Sequence, residues 1–462
     1  TRLVSYRILR HDAASQTYTT HPLIRNHYFA LFTKGGASQE KAAHEQIKEY
    51  YLSLAGDTPQ YPTLDDLKPL IEVVHHACQA GAYDEAINIV YQRIYQGFPA
   101  RVLVSQLGAW ETAYTLMLEF FPDGDTSQEP QVSGPKARSW ILNEIGLCLM
   151  YLGRLREAVP FFERYVKGNI EAQDWSNASA GYRNLANLHA YLGALQASAE
   201  SARQALDLAR RAENKQDEKQ ALYYQGWIAH LRGDVDVAKQ SFSQAEVLNR
   251  EEYSNQVQYL HSLMGIGHAD HLRRTGEVDY ARRVTEANLQ WWVKNYKWLQ
   301  DESACYRILG DLDADSGQHE SAREHYETAL KIARGISHRP SLIEALLGRG
   351  RWAAKYASQT SEVSETSEVS SAFNDLNEAL NTAFEGGYRI YEADIRVALA
   401  WAHIADLTPG PSPTLRLRSG QAGRGESLAK AKASRALQMS AEMGYYWGKV
   451  DAEEVLKVIS DQ

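Results

Sequence analysis

The sequence contains too few cysteines for a disulfide framework. Its three cysteines, Cys78, Cys148 and Cys305, lie far apart along 462 residues, and we interpret them as reduced core residues of a cytoplasmic protein. No apolar run of about 18 residues and no signal-peptide pattern occurs, so we predict no membrane partner. The chain also lacks an initial methionine, which suggests that it is a fragment of a longer protein.

Positive charge is also in deficit. The chain has 49 Lys and Arg residues against 58 Asp and Glu residues, which gives a formal net charge of −9. A general nucleic-acid binder needs a basic face for its phosphate contacts. We therefore do not expect a nucleic-acid partner.

The phosphate loop of nucleotide-binding proteins is absent as well. The segment Gly444-Tyr-Tyr-Trp-Gly448-Lys449 has the wrong spacing and lacks the hydroxyl residue that such a loop needs. There is no serine nucleophile elbow, no catalytic-cysteine signature and no Gly-rich dinucleotide loop. We therefore predict that the chain by itself is not an enzyme, has no catalytic residue and needs no cofactor.

Two groups of histidines have the residue types of a metal site but not its spacing. His75 and His76, near Cys78, are adjacent on a predicted helix, so their side chains point about 100° apart. His268 and His271 share a helical face, but no fourth ligand of suitable spacing follows them. We predict that these side chains belong to packed helices and that no metal is bound.

What the sequence does contain is a repeat. A glycine followed five residues later by a small residue occurs five times, with successive glycines 40, 40, 43 and 41 residues apart. Such a period predicts a solenoid, a class of fold with an extended concave surface. The pairs are Gly153 and Ala158, Gly193 and Ser198, Gly233 and Ala238, Gly276 and Ala281, and Gly317 and Ala322.

Each copy predicts a helical hairpin. A small residue precedes each turn glycine by seven positions: Gly146, Ala186, Gly226, Ala269 and Gly310. The glycine ends the first helix, and the small residue after it lets the second helix pack closely. This pattern resembles the tetratricopeptide repeat over roughly residues 136–335, with a period of about 40 instead of about 34. Thr285 and Asn288 depart from the second-helix pattern.

Weaker copies on both sides extend the array. We predict an all-α fold, a right-handed tetratricopeptide-type superhelix (α-solenoid) of about nine hairpins. Its parts are a winged-helix remnant at 1–60, atypical hairpins at 61–135 and the superhelix at 136–462. Two polar insertions, 361–370 and 408–425, are predicted to be either disordered padding or functional loops.

The first sixty residues have a different pattern. Leu3–Leu9 and Thr17–Thr20 are predicted strands around a polar turn, and a helix is predicted from His21 to Phe32. This order resembles the winged-helix segment of signal-transducing ATPases with numerous domains, in which it joins an ATPase core to a repeat sensor. The residues that carry the resemblance are Tyr18, His21, Pro22, Leu23, Ile24 and Arg25.

The resemblance implies that this chain is the sensor arm and that its partners include an upstream ATPase core. It also implies that His21 contacts a nucleotide phosphate only when that core is attached. His21 and Arg25 could instead simply fix a domain junction. Two other functions stay open, a free-standing tetratricopeptide scaffold for protein assembly and a winged-helix transcription regulator.

The tetratricopeptide resemblance also implies which residues face the concave groove. We predict a partner-binding surface there for a protein, a peptide or a small effector. The predicted residues are Asn143, Tyr151, Arg183, Asn187, Tyr191, Tyr223, Trp227, His230, Asp270, Arg273, Arg274, Arg307, Asp311, Asp315, Arg349 and Trp352. Their arginines would form a positive, aromatic-lined strip suited to an acidic peptide. Alternatively, Tyr191 and Trp227 pack against the next repeat. The cluster of Trp291, Trp292, Tyr296 and Trp298 is interpreted as inter-repeat core, with a binding patch as the alternative.

Overall fold

The structure, a computed structural model, describes residues 4, 6, 8–12, 17–24, 26–27, 36–253, 256–357, 365–406 and 420–461. The chain divides into two compact units. One comprises Thr1–Gly97 and Leu118–Gly134, and the other comprises Phe98–Met117 and Pro135–Gln462.

The described part of the first unit includes a small hairpin and three α-helices. Strand β1 (Arg10–Asp12) pairs antiparallel with β2 (Thr17–Thr19). Helices α1 (Ala37–Leu54), α2 (Leu64–Ala80) and α3 (Tyr83–Ile89) follow, and π-helical Val90–Ile94 extends α3. The Thr63 hydroxyl accepts a hydrogen bond from the backbone N–H of Asp66, whose carboxylate accepts one from the N–H of Thr63, so a capping box begins α2.

The prediction for the first strand was wrong in position. β1 lies at 10–12, in the segment expected to form the turn, because a short hairpin pairs the residues nearest its connection. Residues 22–24 and 26–27 are helical, as predicted, whereas Arg25 and 28–35 lie outside the described residues.

The second unit is a series of helical hairpins, which confirms an all-α solenoid. Its described helices are α4 (Trp110–Leu118), α5 (Pro135–Tyr151), α6 (Leu155–Glu171), α7 (Trp175–Tyr191), α8 (Leu195–Arg211), α9 (Lys215–Arg232), α10 (Val235–Glu252), α11 (Leu263–Arg274), α12 (Val278–Ala287), α13 (Leu299–Asp315), α14 (His319–Arg334), α15 (Arg339–Ala357), α16 (Glu365–Gly386), α17 (Arg389–Asp406), α18 (Gly420–Met443) and α19 (Tyr446–Asp461). Short π-helical segments occur at Val102–Gln106 and, extending α12, at Asn288–Val293. From α5 to α18 the helices pair in sequence.

All five predicted turn glycines end first helices in the left-handed conformation. Their φ angles are between 72° and 88°, a region that side chains with a Cβ rarely adopt. The small residues also act as predicted. A Cβ added at Gly146 would lie 2.6 Å from the Phe162 ring, and one at Gly310 would lie 2.8 Å from the Tyr326 ring. These two first helices therefore each accept an aromatic ring from the second helix of the hairpin.

The departure at Thr285 and Asn288 has a structural cause. Asn288 replaces a small apolar residue and is 2% exposed. Its side chain accepts a hydrogen bond of 2.9 Å from the N–H of Ser262 and donates one of 3.1 Å to the carbonyl of Ser262. Asn288 thus fixes the segment that leads into α11. Alanine has no side-chain amide and could not form these two hydrogen bonds.

Parts of the two predicted insertions are helical instead of loops. Residues 365–370 begin α16, and Val369 packs with Ala405 and Phe373, which gives this extension an apolar contact that its polar composition did not suggest. Residues 420–425 belong to α18. Residues 361–364 and 408–419 lie outside the described part of the chain.

The last hairpins of the second unit contact the turns of its first three. The Tyr388 hydroxyl donates a 2.6 Å hydrogen bond to the carbonyl of Met150. A Cβ on Gly193 would overlap the Met443 side chain, and one on Gly233 would overlap the Tyr446 ring. Residues almost 240 positions apart are therefore neighbours on the inner side of the array.

Replacement of Ala238 by Glu tests the close packing of the two helices within one hairpin. Ala238 is completely buried at a close helix contact, so an unpaired carboxylate there should lower the free energy of unfolding by about 3 kcal/mol or more. The matched control is Val237→Glu, because Val237 is 47% exposed and should tolerate the charge. Urea denaturation measures both variants, and equal stabilities would contradict the assigned helix register.

Candidate functional site

A cavity of about 120 Å³ lies among the first helices of the later repeats. Its wall is contributed by α9, α11, α13, α15, α17 and α19. Six of the predicted groove residues lie in it: Trp227, His230, Asp270, Arg273, Arg274 and Arg307. The wall also contains residues that the sequence analysis missed, among them Glu344, Arg351, Tyr391, Asp394, Tyr445, Trp447 and Asp451. We call this space the central cavity.

The remaining predicted residues are spread over further cavities or lie outside those described. Tyr151, Asn187 and Tyr191 line a second cavity of about 180 Å³. Tyr223 lines a third of about 200 Å³, and Asp311, Asp315 and Trp352 line a fourth of about 290 Å³. The predicted groove residues therefore line a series of adjoining cavities. Asn143, Arg183 and Arg349 line none of these four.

Those three residues are engaged in contacts between and within repeats. Asn143 accepts a 2.7 Å hydrogen bond from the side-chain amide of Asn184. Arg183 forms a buried ion pair with Asp217 at 3.1 Å. Arg349 binds Asp375 of its own hairpin through two hydrogen bonds of 2.7 and 2.8 Å.

A buried ionic network extends from the central cavity into the fourth cavity. Asp311, whose side chain is 1% exposed, lies 3.1 Å from Arg307 and 2.7 Å from Arg351. Burial alone would raise the pKa of this carboxyl, but Arg351, Arg273 and Arg307 together hold the pKa well below its usual range. Arg307 also contacts Asp270 at 3.3 Å. Asp311 is therefore ionised and shared by several arginines.

The predicted positive strip was wrong. Every arginine assigned to it lies within 4 Å of a carboxylate of the same chain. The prediction followed the register of single helices. The compensating carboxylates come from neighbouring repeats for Arg183, Arg273 and Arg307, from the same hairpin for Arg349, and from α19 for Arg274. Because these arginines are already paired with carboxylates, they no longer favour an acidic peptide as the ligand.

The histidines near the central cavity are buried and neutral. The Trp447 indole donates a 3.1 Å hydrogen bond to Nδ1 of His230, and Nδ1 of His271 lies 3.2 Å from the same atom. Burial lowers the pKa of His230 to about 3 and that of His271 to about 4. Among the described residues, no group of three or more His, Cys, Asp or Glu side chains could hold a metal ion.

The tryptophan cluster contributes to the core and to the third cavity. Trp292 is 4% exposed and stacks on His261 with 4.7 Å between ring centroids, as expected for inter-repeat core. Tyr296 and Trp298 are half-buried and line the third cavity together with Trp292.

In the first unit, the singled-out residues lie in ordinary contacts. His21 is exposed, and its Nδ1 accepts a 3.3 Å hydrogen bond from the N–H of Leu23. His75 contacts Glu119 at 3.0 Å, and His76 contacts His44 at 2.8 Å.

No helix in the described ranges combines the length and the apolar composition that a membrane span needs.

The carboxyl side chains missed by the sequence analysis are unusual in their surroundings. Asp394 accepts a 3.1 Å hydrogen bond from the Tyr445 hydroxyl, and burial raises its pKa to about 7. Burial also raises the pKa of Glu344, which accepts a hydrogen bond from Tyr391. The regular glycine spacing is lost after Gly317, and the groove positions predicted beyond it were limited to Arg349 and Trp352, so these two carboxylates were missed.

Comparisons with known proteins give a likeness of fold only. No protein-family model matches the chain, and no curated protein matches it. A structure of a Rap protein complexed with competence and sporulation factor has 12% sequence identity and a TM-score of 0.46, covering 82% of this chain and 98% of that one. The Rap conjugation gene regulator of plasmid pLS20, in complex with the Phr* peptide, has 12% identity and a TM-score of 0.46, with coverages of 80% and 96%.

A third structure is a signal transduction ATPase with numerous domains, with a tetratricopeptide repeat sensor, from Pyrococcus horikoshii. Its identity is 12% and its TM-score is 0.38. The match covers 99% of the present chain and 57% of that protein. At these values the likeness is to a helical-repeat fold.

The carboxyl group of Asp301 provides a test of burial in the second cavity. Asp301 is 4% exposed, and burial raises its pKa to about 7. The folded state then holds this proton more tightly than the unfolded state, so stability should fall as the pH rises from about 4 to 7. Asp301→Asn should remove this loss and add about 2 kcal/mol to the free energy of unfolding at pH 8.

Urea denaturation at pH 5.5 and pH 8 measures this difference. The matched control is Asp315→Asn, because the Asp315 side chain is 50% exposed and remains in contact with water. If Asp301→Asn showed the same pH dependence as the unmodified chain, Asp301 would not be buried as described.

Proposed function

We propose that this chain is a ligand-binding sensor that takes a peptide into the cavities on the inner side of its helical repeats. The observation that carries the proposal is the charged and aromatic character of the central cavity, which four arginines, four carboxylates and four large aromatic rings line. Buried ion pairs contribute little net stability, because desolvation offsets their attraction. An apolar inner face would hold the array at least as well, so a binding role explains this interior better.

The arrangement of the cavities favours an extended ligand. The central and second cavities share Glu344 as a wall residue, and the second and third share Trp298. The central and fourth share Arg351. Successive side chains of an extended peptide, about 3.3 Å apart along the backbone, suit such a series of small cavities. Aromatic anchors such as Trp227 and Tyr391 are the residue types that dominate peptide recognition.

Ligand binding would also affect the contacts between the two ends of the second unit. Trp447 of α19 donates its hydrogen bond to His230 of α9, and Arg274 of α11 lies 4.3 Å from the Trp447 ring. All three residues line the central cavity. If α19 has two arrangements and the ligand contacts these residues in only one of them, binding would increase the population of that arrangement. A sensor requires such a shift between two conformations.

The finer proposal is that the chain is the sensor arm of a signal-transducing ATPase with numerous domains. It rests on the motif from Tyr18 to Arg25, and it would give His21 its role beside a nucleotide in the longer protein. A free-standing assembly scaffold and a winged-helix transcription regulator are the competing proposals. A phosphate loop encoded upstream of Thr1 would distinguish the first from both others.

Selection of peptides tests the binding function. A library of random nine-residue peptides displayed on phage is selected against the purified chain, and selected peptides are resynthesised for calorimetry. We expect Trp227→Ala and Tyr391→Ala each to weaken their binding by about tenfold or more, because both remove a ring from the cavity wall.

Phe384→Ala is the matched control, since Phe384 is 69% exposed on a second helix and should not affect binding. Circular dichroism verifies that each variant keeps its helical content. If every selected peptide bound the Trp227→Ala and Tyr391→Ala variants with unchanged affinity, the cavities would not be the binding site.

A further inference from the structure

Asp394 is a carboxylate in the wall of the central cavity without a positively charged partner. Arg396, two residues further along the same helix, binds Glu392 instead. Among the described residues, no Lys, Arg or His nitrogen lies within 4 Å of Asp394, and its hydrogen bond comes from the neutral Tyr445 hydroxyl. A carboxylate removed from water is costly unless a cation or a proton compensates it.

The surrounding network does not supply that cation. Around the central and fourth cavities, five other carboxylates lie within 4 Å of an arginine: Asp270, Asp311, Asp315, Glu344 and Asp451. Glu454, which also lines the fourth cavity, is exposed to solvent. The arginines that they share are Arg273, Arg274, Arg307 and Arg351. Among the described carboxylates in the wall of the central cavity, Asp394 is thus the one without an arginine within 4 Å.

Aromatic rings line the same cavity beside Asp394. Trp227, Tyr391, Tyr445 and Trp447 all contribute to its wall. The faces of such rings attract cations, and the guanidinium of Arg274, 4.3 Å from the Trp447 ring centroid, already makes this kind of contact. The cavity volume of about 120 Å³ is also several times the roughly 10–15 Å³ that one water molecule needs.

We propose that the central cavity binds a guanidinium or ammonium group of the ligand, with Asp394 as its counter-ion and the aromatic rings as its walls. This inference rests on the proposed function and specifies the chemistry of one position of the peptide. A basic side chain enters the cavity, and the two carboxylate oxygens of Asp394 accept its N–H groups.

In the free protein, a proton takes the place of this cation for part of the time. Burial raises the pKa of Asp394 to about 7, and the nearby Asp451 adds to the rise, whereas Arg351 and Arg274 oppose it. Binding of a cation favours the ionised carboxylate. Binding near neutral pH should therefore release a proton from Asp394.

Calorimetry with small probes tests the inference on the whole chain. N-acetyl-arginine amide and N-acetyl-lysine amide are titrated at pH 6.5 in two buffers that differ in ionisation enthalpy, which reveals proton release. We expect at least one of the two probes to bind with release of up to about one proton per site. N-acetyl-citrulline amide has nearly the shape of the arginine probe without its charge, so it should not bind.

Asp394→Asn should weaken binding of the basic probe by about tenfold or more and abolish the proton release. Asp207→Asn is the matched control and should change neither quantity, because Asp207 is 54% exposed, pairs with Arg203 at 2.8 Å and lines none of the four cavities. Equal binding of the arginine and citrulline probes to the unmodified chain would overturn the inference, and so would unchanged binding to Asp394→Asn.

Failure of this inference is distinguishable from failure of the proposed function. Selected peptides without any basic residue that still depend on Trp227 and Tyr391 would overturn the cation site while leaving peptide binding in the cavities intact. Selected peptides in which Arg or Lys is required, and whose binding Asp394→Asn weakens, are the expected result.

Discussion

The interior of the second unit depends on one buried carboxylate shared by three arginines. Asp311 of α13 lies 2.7 Å from Arg351 of α15, 3.1 Å from Arg307 of its own helix and 4.0 Å from Arg273 of α11. The Tyr326 hydroxyl of α14 adds a 2.7 Å hydrogen bond. These contacts fix the inner faces of three successive hairpins relative to one another. Because loss of a partner would leave a buried charge uncompensated, the network specifies geometry even though its net contribution to stability is small.

The second constraint is the contact between the last hairpins and the first turns of the same unit. Glycine is required at Gly193 and Gly233 for the left-handed turn and also because Met443 and Tyr446 occupy the space of a side chain. This contact brings α17 and α19 opposite α9 and α11. The central cavity consequently combines residues that are far apart in the sequence, such as His230 and Trp447, which are 217 positions apart.

The sequence predicted what is local and missed what is distant. The turn at Gly153 and the fit of Gly146 against Phe162 follow from spacing within one hairpin, and both are confirmed. The charge of the groove could not be obtained in this way, because Arg274 is compensated by Asp451, 177 positions later. Asp394 was missed for a related reason, since it follows an insertion that interrupts the period.

A double-mutant cycle between Asp311 and Arg351 tests the central claim, that a shared buried carboxylate organises the inner face. Asp311→Asn, Arg351→Met and the double variant are compared by urea denaturation with the unmodified chain. The account predicts a coupling free energy of about 1–3 kcal/mol, as for contacting residues of one network. The exposed pair Arg203 and Glu200, 2.6 Å apart, is the reference and should couple by less than about 1 kcal/mol. Additive effects at Asp311 and Arg351, within about 0.5 kcal/mol, would contradict the claim.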